Sequence, residues 1–313
     1  MTDISSTAVD DVEAEKPVEV EAAASATMVE AAKKRSLPVR FARRQPFGAV
    51  AFTIIFLFVL MAILAPILAP YDPVAQDRRS ILTGPGIGGH ALGTDQLGRD
   101  VLSRIIFGAR TSMLIAVSTV VVGMVIGVTI GILSGYLGGK WVDTLVQRLL
   151  EPLMAIPALV LLMFVAAILG PSILHTIMAL SLLVIPSSNR IARAEMLRIR
   201  EEPFVDAARV NGAGTVRILL RHGLPNLMAP LMVYGSLLFA VTIIAESSLS
   251  FLGIGPPPPN ASWGGMLSQG AATMEIAPWG VLFPGVALTL AVLAFNLLGD
   301  ALRDFMDPKR ASR

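Results

Sequence analysis

Three histidines, His90, His175 and His222, and one acidic residue in a long apolar run, Glu246, are the side chains of this 313-residue sequence best placed to do chemistry. A histidine works as a general base or metal ligand only when a partner stands at a suitable spacing. The sequence supplies none: there is no HExxH, no GxSxG and no pair of carboxylates within one apolar run. There is also no cysteine, which removes disulfides and thiolate metal sites. The phosphate-cradling pattern GxxxxGK[ST] is absent, and none of the lysines (Lys16, Lys33, Lys34, Lys140, Lys309) is followed by Ser or Thr. Glu246 reads either as a structural carboxylate hydrogen-bonded to the serines that follow it or as a residue of a transport pathway, because a charge inside a membrane is costly and often functional. Glu151, at the edge of another apolar run, can face water. No catalytic site and no metal site is expected on this chain, and the formal charge of +2 gives no reason to expect nucleic acid.

The elements that must position these residues are membrane helices. The chain is 54% hydrophobic and 15% charged, with mean hydropathy +0.69, against about 25% charged residues in soluble domains. About 20 apolar residues cross a bilayer as a helix. The apolar runs predict an all-α integral membrane protein with six transmembrane helices, at about 48–70, 112–134, 150–169, 173–189, 227–249 and 280–300. With the N-terminus inside, 20 of the 25 Lys and Arg lie on the inner side and five on the outer, all five between Asp72 and Arg110. That asymmetry predicts cytoplasmic N- and C-termini. The expected divisions are a disordered cytoplasmic tail (1–38), an N-terminal transmembrane helix with an external loop (39–110), a core membrane region (111–305) carrying a cytoplasmic loop (190–226), and a C-terminal tail (306–313).

In the outer loop, Leu97, Val101, Leu102, Ile105 and Ile106 share a helical face, and Asp95–Arg99 and Asp100–Arg104 are favourable i, i+4 pairs. An amphipathic surface helix leading into the second span is expected there, with His90 in a structural role. The 247–279 stretch contains Pro256-Pro257-Pro258-Pro259, which no transmembrane helix accommodates. It predicts a stiff outer connection, with a short helix near Ser262–Thr273.

One polar island stands between the apolar runs: Glu201 to Asn226, EEPFVDAARVNGAGTVRILLRHGLPN. Pro203 suits a first helical turn. Phe204, Ala207, Ala208 and Asn211 recur at i, i+3, i+4, i+7, with Asp206, Arg209 and Val210 opposite. Gly212 and Gly214 break this helix; Thr215 can cap a second one, Val216 to His222, which Gly223 and Pro225 should end. The pattern fits an ordinary loop folded back on the membrane surface, or a helix whose small residues let a partner backbone approach.

This island resembles the signature loop of ABC importer permeases, E-A-A, three residues, G, nine residues, I-x-L-P. Here it reads Asp206-Ala207-Ala208, Gly212, then His222-Gly223-Leu224-Pro225, with Asp for Glu and His for Ile. HALGTDQLGRDVLSRIIFGARTS and AESSLSFLGIGPPPPNASWGGML are similar to hallmark segments of the dipeptide/oligopeptide/nickel permeases, specifically their C-type second subunit. The resemblance covers about residues 40 to 310. It implies the type I importer fold with an extra N-terminal span in a prokaryotic cell membrane. It implies a B-type permease as heterodimer partner, two cytoplasmic ATPase subunits holding ATP and Mg, and an extracytoplasmic substrate-binding protein. It implies that this chain has no cofactor of its own and is not an enzyme, and that Phe204, Asp206, Ala207, Ala208, Gly212, Leu224 and Pro225 couple it to the ATPases. Peptides are the expected substrate, with nickel chelates or a glutathione-like compound as alternatives. A stand-alone channel or ion-coupled carrier is the competing class, as is a non-transporting membrane scaffold.

Overall fold

The computed structural model describes residues 45–306. The expected tail 1–38 and the C-terminal residues 307–313 lie outside the described residues. Regular structure among the described residues is helical, apart from isolated bridges pairing Ile87 with His90 and Thr94 with Asp100. Helix α1 (Pro46–Ile63) is followed, after Leu64, by the single turn α2 (Ala65–Leu68) with Pro66 in its first turn. Helix α3 (Val101–Leu137) has 37 residues, about 55 Å at 1.5 Å per residue, and is the longest unbroken α-helix among the described residues. Helices α4 (Lys140–Ala155), α5 (Ala158–Leu169) and α6 (Ile173–Ile199) follow. Then come the short α7 (Pro203–Val210), α8 (Thr215–Ile218) and a π turn (Leu219–Gly223) running into α9 (Leu224–Phe251). Last are α10 (Trp263–Ala271) and α11 (Trp279–Met306).

Six spans were expected. Among the described residues four helical stretches are individually long and apolar enough to cross a membrane: α1, α3, Thr215–Phe251 and α11. The α4–α5 pair, bent by 93°, makes a fifth as a broken unit. The expected straight span 150–169 is therefore divided. Ile156 precedes Pro157 and is extended (φ −82°, ψ 130°), because the proline ring disfavours helical geometry in the residue before it. Helix α6 is outside that set; its apolar half gives way at Pro186-Ser187-Ser188-Asn189. It nonetheless stays helical past Arg190, shortening the expected loop. Arg193 is held by ion pairing to Asp143 of α4, its Nε 2.6 Å from Oδ1, and Asn189 donates to Gln147 at 3.0 Å. A polar stripe of α4 thus faces α6, while Trp141, Leu145 and Leu149 point outward.

The seam between α3 and α6 is built on glycine at every fourth position: Gly123, Gly127, Gly131 and Gly135. A β-carbon on Gly123 would lie 2.5 Å from the Val184 β-carbon, and one on Gly131 2.5 Å from the Asn189 carbonyl oxygen. Membrane helices gain little from hydrophobicity against lipid, so close backbone packing of this kind carries their association. Two main apolar cores flank the seam. One joins Val101, Ile105, Ala109 and Met113 of α3 to Ile243 of α9, Trp263 of α10 and Ala291 and Phe295 of α11. The other joins Ala192, Met196 and Ile199 of α6 to Val205 of α7, Ile218 of α8, and Leu227 and Leu231 of α9.

The expected amphipathic helix before the second span is replaced by turns up to Asp100. Gly98 is left-handed (φ 73°) and lies against the backbone of Asp77. Asp95 pairs with Arg99 at 2.7 Å as expected, but across a turn. The expected Asp100–Arg104 pair gives way to a different use of both groups. Asp100 caps α3 through the Ser103 N–H (2.7 Å) and meets His90 Nδ1 at 3.0 Å, and Arg104 turns to Asp95 at 3.5 Å. A carboxylate directly before a helix is worth more as an N-cap than as a surface ion-pair partner. His90 is thereby a brace, buried and with its ring tilted at 39° against Tyr71, centroids 4.8 Å apart.

Candidate functional site

The second apolar core places α7. Pro203 stands in its first turn, where no N–H is needed. Its end is a Schellman cap: Ala213 N–H donates to Ala208 O (3.0 Å) and Gly212 N–H to Arg209 O (2.9 Å), with Gly212 left-handed at φ 77°. That geometry is the physical reason for glycine at 212.

Val205, fully buried, is the residue that anchors α7, with Ala208 half-buried beside it. The expected grouping of Phe204, Ala207, Ala208 and Asn211 on one face is met except at Ala208. Phe204 (40% exposed), Ala207 and Asn211 turn outward together with Val210 (88%) and Asp206, whereas Ala208 turns inward. Arg209 fixes the flank: its Nη1 donates to Asp206 (2.9 Å), its Nη2 to the Tyr136 hydroxyl of α3 (3.4 Å), and its guanidinium carbon lies 5.5 Å from the Tyr136 ring centre. The Tyr136 hydroxyl first, and Asp206 after it, hold the Arg209 pKa above its ordinary value, so it stays charged at any physiological pH. Arg200 reaches the Gly135 carbonyl at 3.3 Å.

The continuation differs from expectation. Thr215 is the first residue of α8, not its cap; Gly214 precedes it without a side-chain bond. Gly223 and Pro225 do not end the helix. The chain widens into the π turn at Leu219–Gly223, and Pro225 falls in the first turn of α9. A widened turn frees backbone groups just where proline has no N–H to give. Gly223 lies close to Met196, where a β-carbon would be 3.2 Å from the sulfur. His222 faces the Phe204 ring at 6.1 Å.

The structure thus gathers Phe204, Asp206, Ala207, Ala208 and Gly212 on and just after α7, with Leu224 and Pro225 across the His222 contact. Glu246 belongs elsewhere, 22 residues beyond Leu224 on the same helix, about 33 Å along its axis. It is 0% exposed and accepts from Ser250 (2.7 Å), Ser112 (3.1 Å) and Ser247 (3.4 Å). No group of three His, Asp or Glu able to hold a metal occurs among the described residues. Val205, Tyr136 and Trp263 were not singled out from sequence. The four-residue glycine spacing at 123, 127, 131 and 135 was legible there and is the signal that would have located the seam.

Helices packed through glycines and an apolar exterior define a multi-pass membrane protein. The chain belongs to the family described as the binding-protein-dependent transport system inner membrane component, which matches residues 127–312. Residues 40–85 match the N-terminal TM domain of oligopeptide transport permease C. Among its relatives is a putative peptide transport system permease protein of Brucella suis, 43% identical over 86% of this chain and 90% of the relative. The di/tripeptide transport system permease protein DppC of Pseudomonas aeruginosa is 42% identical over 84% of this chain and 87% of its own. The glutathione transport system permease protein GsiD of Shigella flexneri is 43% identical, covering 85% and 88%.

Proposed function

We propose that this chain forms one half of the membrane pathway of an ATP-driven importer of small peptides in a prokaryotic inner or plasma membrane. Its other half is a B-type sister permease. Two cytoplasmic ATPase subunits hold ATP and Mg and hydrolyse the nucleotide, and an extracytoplasmic binding protein delivers the substrate. The observation that carries this reading is α7. Its inner side is fixed to the bundle by Val205 and by Arg209 on Tyr136, and its outer side leaves Phe204, Ala207, Val210 and Asn211 open. A short rigid helix with a partly exposed aromatic and a small neighbour suits a groove on an ATPase. Burying the rest of Phe204 there contributes at most about 1.5–3 kcal/mol. Motion of the ATPases shifts the permease between inward- and outward-open states only through contacts that differ between them.

Ala207→Arg tests the docking role. Ala207 is exposed and outside the core, so the variant should reach the membrane and yet lose both uptake and co-purification of the ATPases; normal uptake sinks the reading. The peptide substrate rests on the names of the Brucella and Pseudomonas relatives, and the Shigella relative supports glutathione as the second reading. Competition of labelled di- and tripeptides against glutathione on the cognate binding protein separates them.

A further inference from the structure

Glu246 is a buried carboxyl with no cation beside it in its hydrogen-bond set; each partner is a serine hydroxyl. Those hydroxyls have a direction. The Trp263 N–H can only donate, and it donates to Ser112 Oγ (3.4 Å), whose own proton goes to Glu246 Oε2. The Gly265 N–H donates to Ser262 Oγ (3.2 Å), Ser262 to Ser250 Oγ (3.4 Å), and Ser250 to Glu246 Oε1. Two chains of hydrogen bonds therefore begin on first-turn N–H groups of α10 and end on the two oxygens of one carboxyl. The first-turn N–H groups of α10 reach the Glu246 carboxyl through serine relays rather than directly.

The surroundings leave little slack. Trp263 is fully buried, its indole N–H donating to the Ile105 carbonyl of α3 at 3.1 Å. A β-carbon on Gly264 would lie 2.5 Å from the Ser247 α-carbon of α9. At the far end of α10, Gln269 accepts from Arg99 (2.7 Å) and Arg104 (3.4 Å) of the 72–110 segment. So α10 is fastened at both ends by polar groups, in an otherwise apolar core.

We propose that Glu246 is a positioning residue: its carboxyl gathers both relays and holds α10, and with it the 252–278 connection, against α3 and α9. It acts on α10 and not on the transported molecule. The proposal is independent of the docking role of α7.

The chain has no cysteine, so a single introduced thiol reports cleanly in the full-length protein in its membrane. Met266→Cys in α10 (Met266 is 5% exposed) is the local probe, and Ala291→Cys in α11 (Ala291 is 0% exposed) is the global one. With Glu246 intact, both thiols should resist a water-soluble maleimide. Glu246→Ala should speed labelling at position 266 by about tenfold or more, the scale expected when buried donors lose their acceptor, and leave 291 protected. Glu246→Gln keeps one oxygen acceptor and should largely restore protection; Ser262→Ala cuts one relay and should give an intermediate rate. If Glu246→Ala exposes position 291 as well, the whole fold has opened, and Glu246→Gln and Ser262→Ala decide by the same criterion. Unchanged protection at 266 across the series overturns the proposal. So does loss of uptake in Glu246→Gln with 266 still protected, which assigns Glu246 to the pathway instead.

Discussion

At the scale of single residues, the α7 segment depends on two positions that contribute no exposed side chain. Gly212 holds a left-handed conformation at the Schellman cap, which costs an ordinary L-residue about 1–2 kcal/mol. Gly212→Val should therefore fray α7 and lower uptake, while Gly212→Asn, which tolerates that geometry, should keep most of it; equal uptake by the two variants contradicts the cap. Val205 is fully buried among Met196, Ile199, Ile218 and Leu219. Val205→Asp buries an unpaired carboxylate and should release α7 from the bundle, seen as new protease cleavage between residues 200 and 214. Phe204, the largest side chain in the segment, stays 40% exposed. Its smaller neighbour holds the helix because the inward arc covers only Val205 and Ala208, and an eight-residue helix is too short for periodicity to fix which arc faces in.

At the scale of elements, the α3–α6 seam decides how the bundle is assembled. Backbones in contact at Gly123, Gly127, Gly131 and Gly135 leave no room for side chains. Gly131→Leu should push the helices apart, at the 1–3 kcal/mol or more typical of overpacking, and lower the temperature at which the detergent-solubilised protein aggregates. The same change at Gly139, where a β-carbon meets nothing, should be nearly neutral. The α4–α6 contact is electrostatic: Arg193 and Asp143 pair across it. Arg193→Asp should be harmful by leaving two carboxylates facing each other. The exchange of both residues should recover expression in the membrane; no recovery means the pair is not what joins these helices. Helix continuation through Arg193 was not legible in the sequence, because charge there signals a loop until its partner 50 residues away is known.

At the scale of the whole molecule, the proposed function makes this chain one subunit of a larger transporter. Reconstituted alone, it should pass no di- or tripeptide; with its sister permease, the ATPases and the binding protein, uptake should appear and require ATP. Flux through the chain alone would favour the channel or carrier class. The two main apolar cores serve different segments. One carries the Glu246 relay and α10; the other seats α7.

The order of apolar runs, the four consecutive prolines, the lack of any catalytic or nucleotide-binding pattern and the polar island at 201–226 were settled by the sequence alone, because each rests on local composition or spacing. The tertiary structure decided the rest. It set Val205 as the residue that fixes α7 to the bundle, ran α8 through a π turn into α9 past Gly223 and Pro225, and bent α4 from α5 at Pro157. It also brought Ser112 of α3 to Glu246 and Ser262 of the α10 cap to Ser250, beyond the local serines Ser247 and Ser250, and gave Asp100 its histidine. Those outcomes depend on which residues distant in the chain come into contact, and no local pattern contains that information.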